Sequence, residues 1–244
     1  MFQHYPDQNT ISSSLFSLCT SGFTTKEAGD MRKIQIIKDF FQMGDIAPPK
    51  IVILEQIHSI NIATPDPLHL GDVEILEEAD GVVTKEKGAL LVVRVADCVP
   101  ILFYDPVAGV IGASHNGWRG SVKNMMKSMI AKMESLGAHA INIRIALGPA
   151  IGECCYTVDM DRYVLFMEEM ERFEKRIFRP YGGAFRLNLT RLNYELAIEN
   201  GIQKSHIEIF PFCTSCDSER FFSYRRQYKK HPEQFGEMMG YIMM

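Results

Sequence analysis

Ala89-Leu90-Leu91-Val92-Val93-Arg94-Val95-Ala96, running on through Asp97-Cys98-Val99-Pro100 into Ile101-Leu102-Phe103-Tyr104, is the stretch that decides the fold. A Val-rich run of eight residues, apolar except for Arg94, is too short for a buried helix and predicts a strand covered on both faces. Ile101–Tyr104 and Val110–Ser114 follow as strands, parted by the turn residues Asp105-Pro106 and Gly109. Working outward, Ile51–Leu54 after Pro48-Pro49, Gly81–Thr84, and Ile141–Leu147 up to Gly148-Pro149 read as further strands. Ile207–Phe210 and Phe221–Tyr224 are late strands. Apolar stripes at helical spacing predict helices over Ser121–Leu136, stopped by Gly137, and over Asp161–Phe178. Thr190–Asn200 and Met31–Met43 add two more. Strands and helices intermixed without strict βαβ repetition predict an α/β or α+β domain with mixed sheets.

The length, 244 residues, allows one or two domains and a sizeable core. A net charge of -4 argues against a nucleic-acid polymer or a membrane surface as partner, since both call for a basic excess. With 46% hydrophobic and 23% charged residues the chain has a globular balance. Met1–Ser14 has neither a basic nor an apolar leader segment, and no apolar run approaches the ~18 residues of a membrane span. The expectation is a cytoplasmic protein whose six Cys are reduced thiols, free to act as ligands or nucleophiles.

Two segments interrupt apolar strands with small and polar residues. Asp97 and Cys98 end the long strand, and Ser114-His115-Asn116-Gly117-Trp118-Arg119-Gly120 spans a strand-to-helix junction. Backbone N–H groups at such a junction bind anions, Gly117 and Gly120 allow close approach, and Arg119 presents a fork for phosphate or carboxylate. Trp118, the only Trp, packs in a core or stacks on a flat ligand. Cys98 and His115 lie at the ends of strands joined by a short connection, which brings them near each other. His58, just after the first strand, is a third candidate. A Cys/His/His set leaves a zinc position open, the mark of a catalytic site; the alternative is a small buried Cys and two structural His.

Cys213 and Cys216 form a C-x-x-C, but the only other pair, Cys154-Cys155, is adjacent and lacks zinc-ribbon spacing. Unpaired thiols near a strand are the expectation there. Phe221-Phe222-Ser223-Tyr224-Arg225-Arg226 reads as an aromatic edge strand whose Arg225 or Arg226 is either solvated or binds an anion. Gly148-Pro149-Ala150-Ile151-Gly152 matches neither a dinucleotide nor a P-loop pattern, and no serine-hydrolase elbow occurs.

Taken in order, Gln56-Ile57-His58, Ala79-Asp80-Gly81, Ala96-Asp97-Cys98-Val99-Pro100, His115–Gly120, Gly148–Gly152 with Cys155-Tyr156, Cys213-Thr214 and Phe221–Arg226 resemble the laccase-domain family of purine nucleoside phosphorylases. This is the YfiH/YlmD type, formerly labelled multicopper polyphenol oxidases. The resemblance implies a single YfiH-like domain over residues 1–244 with four α/β/β/α layers and mixed sheets. It implies catalytic zinc on His58, Cys98 and His115, with copper also admitted. It further implies phosphorolysis of adenosine, inosine, guanosine and methylthioadenosine, and deamination of adenosine. The family's opening Phe-Ser-Thr-Arg-x-Gly-Gly is replaced here by Leu18-Cys19-Thr20-Ser21-Gly22-Phe23, without the Arg or the double Gly; Lys26 or Arg32 are the candidate substitutes.

On this reading Asp97 or Asp80 orients a ligand or shuttles a proton. Arg119, the Gly117–Gly120 N–H groups, Trp118 and Asp80 bind substrate and phosphate, with Arg225 or Arg226 in support. The ligands are purine nucleosides and phosphate, and the protein is a monomer or small homo-oligomer. Three rivals stand beside it. A copper oxidase of phenols is one, although the sequence has no His-x-His. A cysteine hydrolase with Cys98 as nucleophile and His115 as base is another. The third is a structural metal site on a non-enzymatic protein.

Overall fold

The computed structural model describes residues 2–5, 9–44, 46–228 and 230–244. Met1 and Pro6–Gln8, part of the N-terminal stretch read for a leader, lie outside them. In chain order the first half holds β1 (Phe2–Tyr5), β2 (Thr10–Ser13), β3 (Thr20–Thr24), α1 (Ile34–Met43), β4 (Lys50–Leu54), β5 (Ile62–Ala63), β6 (Val73–Leu76), β7 (Gly81–Thr84), β8 (Ala89–Val95), β9 (Val99–Asp105) and β10 (Val110–Asn116). Then come α2 (Trp118–Val122), α3 (Met125–Ser135), β11 (Arg144–Leu147), β12 (Thr157–Val158), α4 (Met160–Met170), α5 (Glu174–Ile177), β13 (Phe178–Tyr181), β14 (Ala184–Leu187), α6 (Leu189–Glu199), β15 (Ile207–Ile209) and β16 (Met238–Met243).

Two mixed sheets stack face to face. One runs β1-β2-β3-β16-β8-β4-β6, the other β15-β11-β9-β10-β7-β5, and a small third sheet holds β12-β14-β13. The deciding stretch is apolar almost throughout because both faces of each sheet are covered. Along β8, Leu91 and Val93 face the core between the sheets, whereas Leu90 and Val92 pack toward Ile37 and Phe41 of α1. Along β9, Leu102 and Tyr104 face the inter-sheet core, and Ile101 and Phe103 pack toward the Met-rich face of α3 and toward α6. Period-2 alternation therefore survives, but both registers are apolar. The layers are α/β/β/α, as the family resemblance implied.

β8 and β9 belong to different sheets, so Ala96-Asp97-Cys98 is the step by which the chain crosses between them. Asp97 takes φ 86° there, a left-handed conformation uncommon for a non-glycine. β9 and β10 then pair antiparallel with His115 opposite Pro100 and Asn116 opposite Val99, which puts Cys98 beside the end of β10.

Three expected elements differ. The Ser121–Leu136 helix is broken, because Asn124 adopts φ 59° and its side chain caps α3 by accepting from Lys127 N. The Asp161–Phe178 helix ends at Met170; a 3-10 turn and the short α5 follow, and Phe178 starts a strand. Phe221–Tyr224 is not a strand: Ser223 Oγ and Arg225 N both donate to Asp97, and Tyr224–Tyr228 forms a π-helical turn. Side-chain bonds to a buried carboxylate here replace a strand ladder. No helix among the described residues is long and apolar enough to cross a membrane.

Candidate metal centre and its cavity

The ends of β4, β8, β9 and β10 converge on one cavity of about 570 Å³, within the range of small-molecule sites. His58, Cys98 and His115 line it, and their ligand atoms all lie within 4.8 Å of one another. Cys98 Sγ is 4.0 Å from His58 Nε2, and the two imidazoles cross at 85° with centroids 4.7 Å apart. Gly117 is required by this approach: a Cβ there would sit 2.8 Å from the His58 ring and 3.2 Å from Cys98 Sγ.

Asp80, wholly buried, builds the triad from behind. It accepts from His115 Nδ1 at 2.8 Å, from the backbone N–H groups of His58 (3.0 Å), Ser59 (2.6 Å) and Ile57 (3.2 Å), and from Ser59 Oγ at 2.8 Å. One carboxylate thus fixes the imidazole of His115 and the left-handed backbone of His58 (φ 61°). A His ligand whose second ring nitrogen donates to a carboxylate is the usual support of a metal site. This corrects the assignment of Asp80 to substrate or phosphate: it does not line the cavity.

The donor set fits a single borderline ion. Ideal tetrahedral zinc places a thiolate sulfur and an imidazole nitrogen about 3.6 Å apart, close to the spacing here, and three protein ligands leave the fourth position open. It does not fit a multi-copper cluster. Among the described residues only two groups of three or more candidate ligands occur, and this is the only one containing His.

Burial works against charge on both Cys98 and His115, but each outweighs it for the other. His115 and His58 bring the Cys98 thiol down from 9.0 to about 7. Cys98 and Asp80 together raise His115 to about 10. Burial alone pushes Cys19 up to about 12. In chelator-treated protein, iodoacetamide labelling of Cys98 is therefore expected to reach half its maximal rate near pH 7, with Cys19 unlabelled there; peptide mass mapping across pH 5–10 checks this. A midpoint near 9 would show that the histidines do not bear on the thiol.

Around the triad the wall is aromatic and basic. Trp118 lines it with Arg119 and Arg162 over its ring, 5.1 and 4.5 Å from the centroid. Arg225 lies over Tyr156 and donates to Cys155 O and Thr157 O. Arg162 Nε and Arg94 Nε are shut from solvent with no hydrogen-bond partner among the described residues, although both side chains line the cavity. Arg94, Arg162 and Phe235 were not singled out as site residues from the sequence, and Tyr156 and Tyr224 stood there only within motifs, with no role assigned. Arg162 stands on α4 one turn before the buried Phe166, where nothing in the pattern says that the residue overlooks a cavity.

Other candidates settle differently. Asp97 lines the cavity, but its carboxylate is occupied by Thr214 Oγ1 (2.6 Å), Ser223 Oγ (3.0 Å) and Arg225 N (2.6 Å), so it ties three loops together. Arg226 is absent from the cavity and spends its guanidinium on Thr214 O, Ser215 O and Phe221 O. α2 has only five residues, which leaves anion binding to the guanidinium groups rather than to a helix dipole. Arg32 pairs with Asp30 and lies over the outer face of Phe235, and Lys26 donates to Ser218 O; neither lines the cavity. Cys154, Cys155, Cys213 and Cys216, expected to be separate thiols, come together in a second cluster.

The same fold recurs in solved structures. The crystal structure of YfiH from Bacillus licheniformis superposes with a TM-score of 0.87 at 28% identity, covering 100% of this chain and 98% of that one. YlmD from Geobacillus stearothermophilus superposes at 0.86 with 27% identity, covering 99% and 98%. In sequence, the protein named purine nucleoside phosphorylase YlmD of Bacillus subtilis is 33% identical over 69% of this chain and 60% of its own length. A protein named adenosine deaminase RL5, from an unknown prokaryotic organism, is 31% identical over 72% of this chain and 70% of its own. The matched segment thus spans less than two thirds of the Bacillus subtilis protein. The description "multi-copper polyphenol oxidoreductase laccase" matches residues 17–244, and with it the chain belongs to the laccase-domain family.

Proposed function

We propose that the protein is a zinc-dependent purine nucleoside phosphorylase that also deaminates adenosine. The observation that carries this reading is one cavity that joins the His58–Cys98–His115 donor set to two guanidinium groups with unpaired buried nitrogens. His58, Cys98 and His115 would hold zinc, which when bound would supply Lewis-acid chemistry at neutral pH for the attack of water on the purine C6.

The chain's own residues do the rest. Trp118 and Tyr156 offer flat faces for the base. Arg119 and Arg162, backed by Arg94 and Arg225, hold phosphate against the ribose. One phosphate oxygen bonds to C1′ as the C1′–N9 bond breaks, and the electron pair leaves with the base. The guanidinium groups orient the nucleophile before the sugar acquires positive charge, so their contribution is positioning and electrostatic. Asp97 positions Arg225 and the Thr214 loop. The relatives named as purine nucleoside phosphorylases and as an adenosine deaminase support both halves of the reading. The thiol ligand suits a reducing cytoplasm.

The test is direct: metal-replete protein is incubated with adenosine, with and without phosphate. Adenine and ribose 1-phosphate are expected only with phosphate, and inosine in both cases. If neither product forms, the reading fails. Activity that survives chelation but not alkylation would instead favour Cys98 as a hydrolytic nucleophile.

A further inference from the structure

We propose that Cys154, Cys155, Cys213 and Cys216 form a second metal centre, a closed tetrathiolate site for zinc. Their four sulfurs lie within 4.8 Å of one another, and none of the four cysteines lines the cavity of the first site. Cys216 Sγ is 3.4 Å from Cys154 Sγ and 3.3 Å from Cys155 Sγ. A disulfide couples one sulfur to one partner at about 2.05 Å. A sulfur almost equidistant from two others is instead the vertex of a cluster. Tetrahedral zinc with Zn–S bonds of about 2.3 Å sets its sulfurs about 3.8 Å apart, inside the span seen here. An iron–sulfur cluster, which spreads its cysteines around several atoms, would need a wider set.

The surroundings suit thiolates. Gly152 N donates to Cys213 Sγ at 3.1 Å, and such an N–H favours a charged sulfur. The loops bearing the two halves are joined by the parallel bridge Ala150–Cys213 and by Thr214 N to Ala150 O. Four protein ligands leave no open position, which marks a structural rather than a catalytic ion. The ion would clamp the Gly152–Tyr156 turn to the Cys213–Cys216 turn. The first carries Tyr156 of the cavity wall, and the second carries Thr214, the partner of Asp97. The centre thus fixes one wall of the cavity from outside, and the inference stands whether or not the cavity takes nucleosides.

Zinc content and zinc-edge X-ray absorption test this on protein purified from zinc-supplemented cells and desalted. Wild type is expected to hold roughly two zinc ions per chain, and Cys98→Ala and Cys213→Ser/Cys216→Ser roughly one each. In Cys98→Ala the remaining zinc should show four sulfur neighbours at about 2.3 Å and no nitrogen. That measurement decides the matter even if the double variant does not fold. The proposal is overturned if Cys98→Ala holds no zinc, if its zinc has nitrogen neighbours, or if non-reducing peptide mapping finds the four cysteines in disulfides.

Discussion

Cys98→Ala is expected to empty the His58–Cys98–His115 site and to lower adenosine turnover at least ~10³-fold, the equivalent of about 4 kcal/mol of transition-state stabilisation. The size follows from the donor set. With Cys98 gone the site keeps two imidazoles and no anionic ligand, since Asp80 points its carboxylate at His115 Nδ1 and at backbone N–H groups rather than at the ion's position. Neutral imidazoles alone cannot offset the charge of a divalent cation beside a wall that already carries Arg119, Arg162 and Arg225. The fold should barely respond. Cys98 is small, sits on the step between two sheets and is partly exposed, so the melting temperature should move by no more than a few degrees. Zinc content, turnover and melting temperature of the same preparation separate the site from the scaffold. Full turnover with zinc retained at this position would remove Cys98 from the ligand set.

The split between what the residues announced and what they concealed has physical causes. β8, β9 and β10 were legible because both of their faces are buried, which makes them runs that nothing else explains. β3 and β16, by contrast, pair with each other across almost the whole chain. Thr20–Thr24 carries Gly and three hydroxyl residues, and Met238–Met243 is a Met-rich run with no turn signal. The triad was legible because Cys98 and His115 stand beside or at the ends of apolar strands and His58 follows one. Its support by Asp80 was visible only as a residue in a motif, since the step from "conspicuous" to "bonded to both histidines" needs the register of β7 against β10. The four-cysteine cluster was missed for a different reason. Zinc-ribbon spacing presumes two local pairs, whereas here an adjacent pair and a C-x-x-C meet through the bridge between Ala150 and Cys213, a tertiary contact without a local signature.

Asp80→Ala is expected to destabilise the protein by about 3–5 kcal/mol, and the loss should depend on pH in a way that identifies its cause. The carboxylate takes five hydrogen bonds, three of them from consecutive backbone N–H groups, and its removal strands those donors where water cannot replace it. For a chain of this length such a loss lowers the melting temperature by about 10 °C. His115 and the Ser59 donors hold Asp80 below the ordinary carboxylate range against the opposing effect of burial. Its stabilisation is therefore present above about pH 4 and disappears as pH falls through the native value. His115 is shifted the other way, up to about 10. In metal-stripped protein its share is complete below about pH 6.5 and vanishes as pH rises through about 10. The gap in melting temperature between wild type and Asp80→Ala should thus be widest between about pH 4 and 6.5, narrow as pH falls through the native value of Asp80, and narrow only in part toward pH 10, where the backbone donors to Asp80 remain. With zinc bound, His115 is neutral and its Nδ1–H still donates to Asp80, so the alkaline narrowing should be lost while the acid one remains. Asp80→Asn, which keeps the size but not the charge, should weaken zinc binding by about 10–100-fold, read with a competing chelator. A gap that is flat from pH 4 to 10 in stripped protein, or unchanged zinc affinity in Asp80→Asn, would mean that this carboxylate braces the β4–β7 connection without organising the ligands.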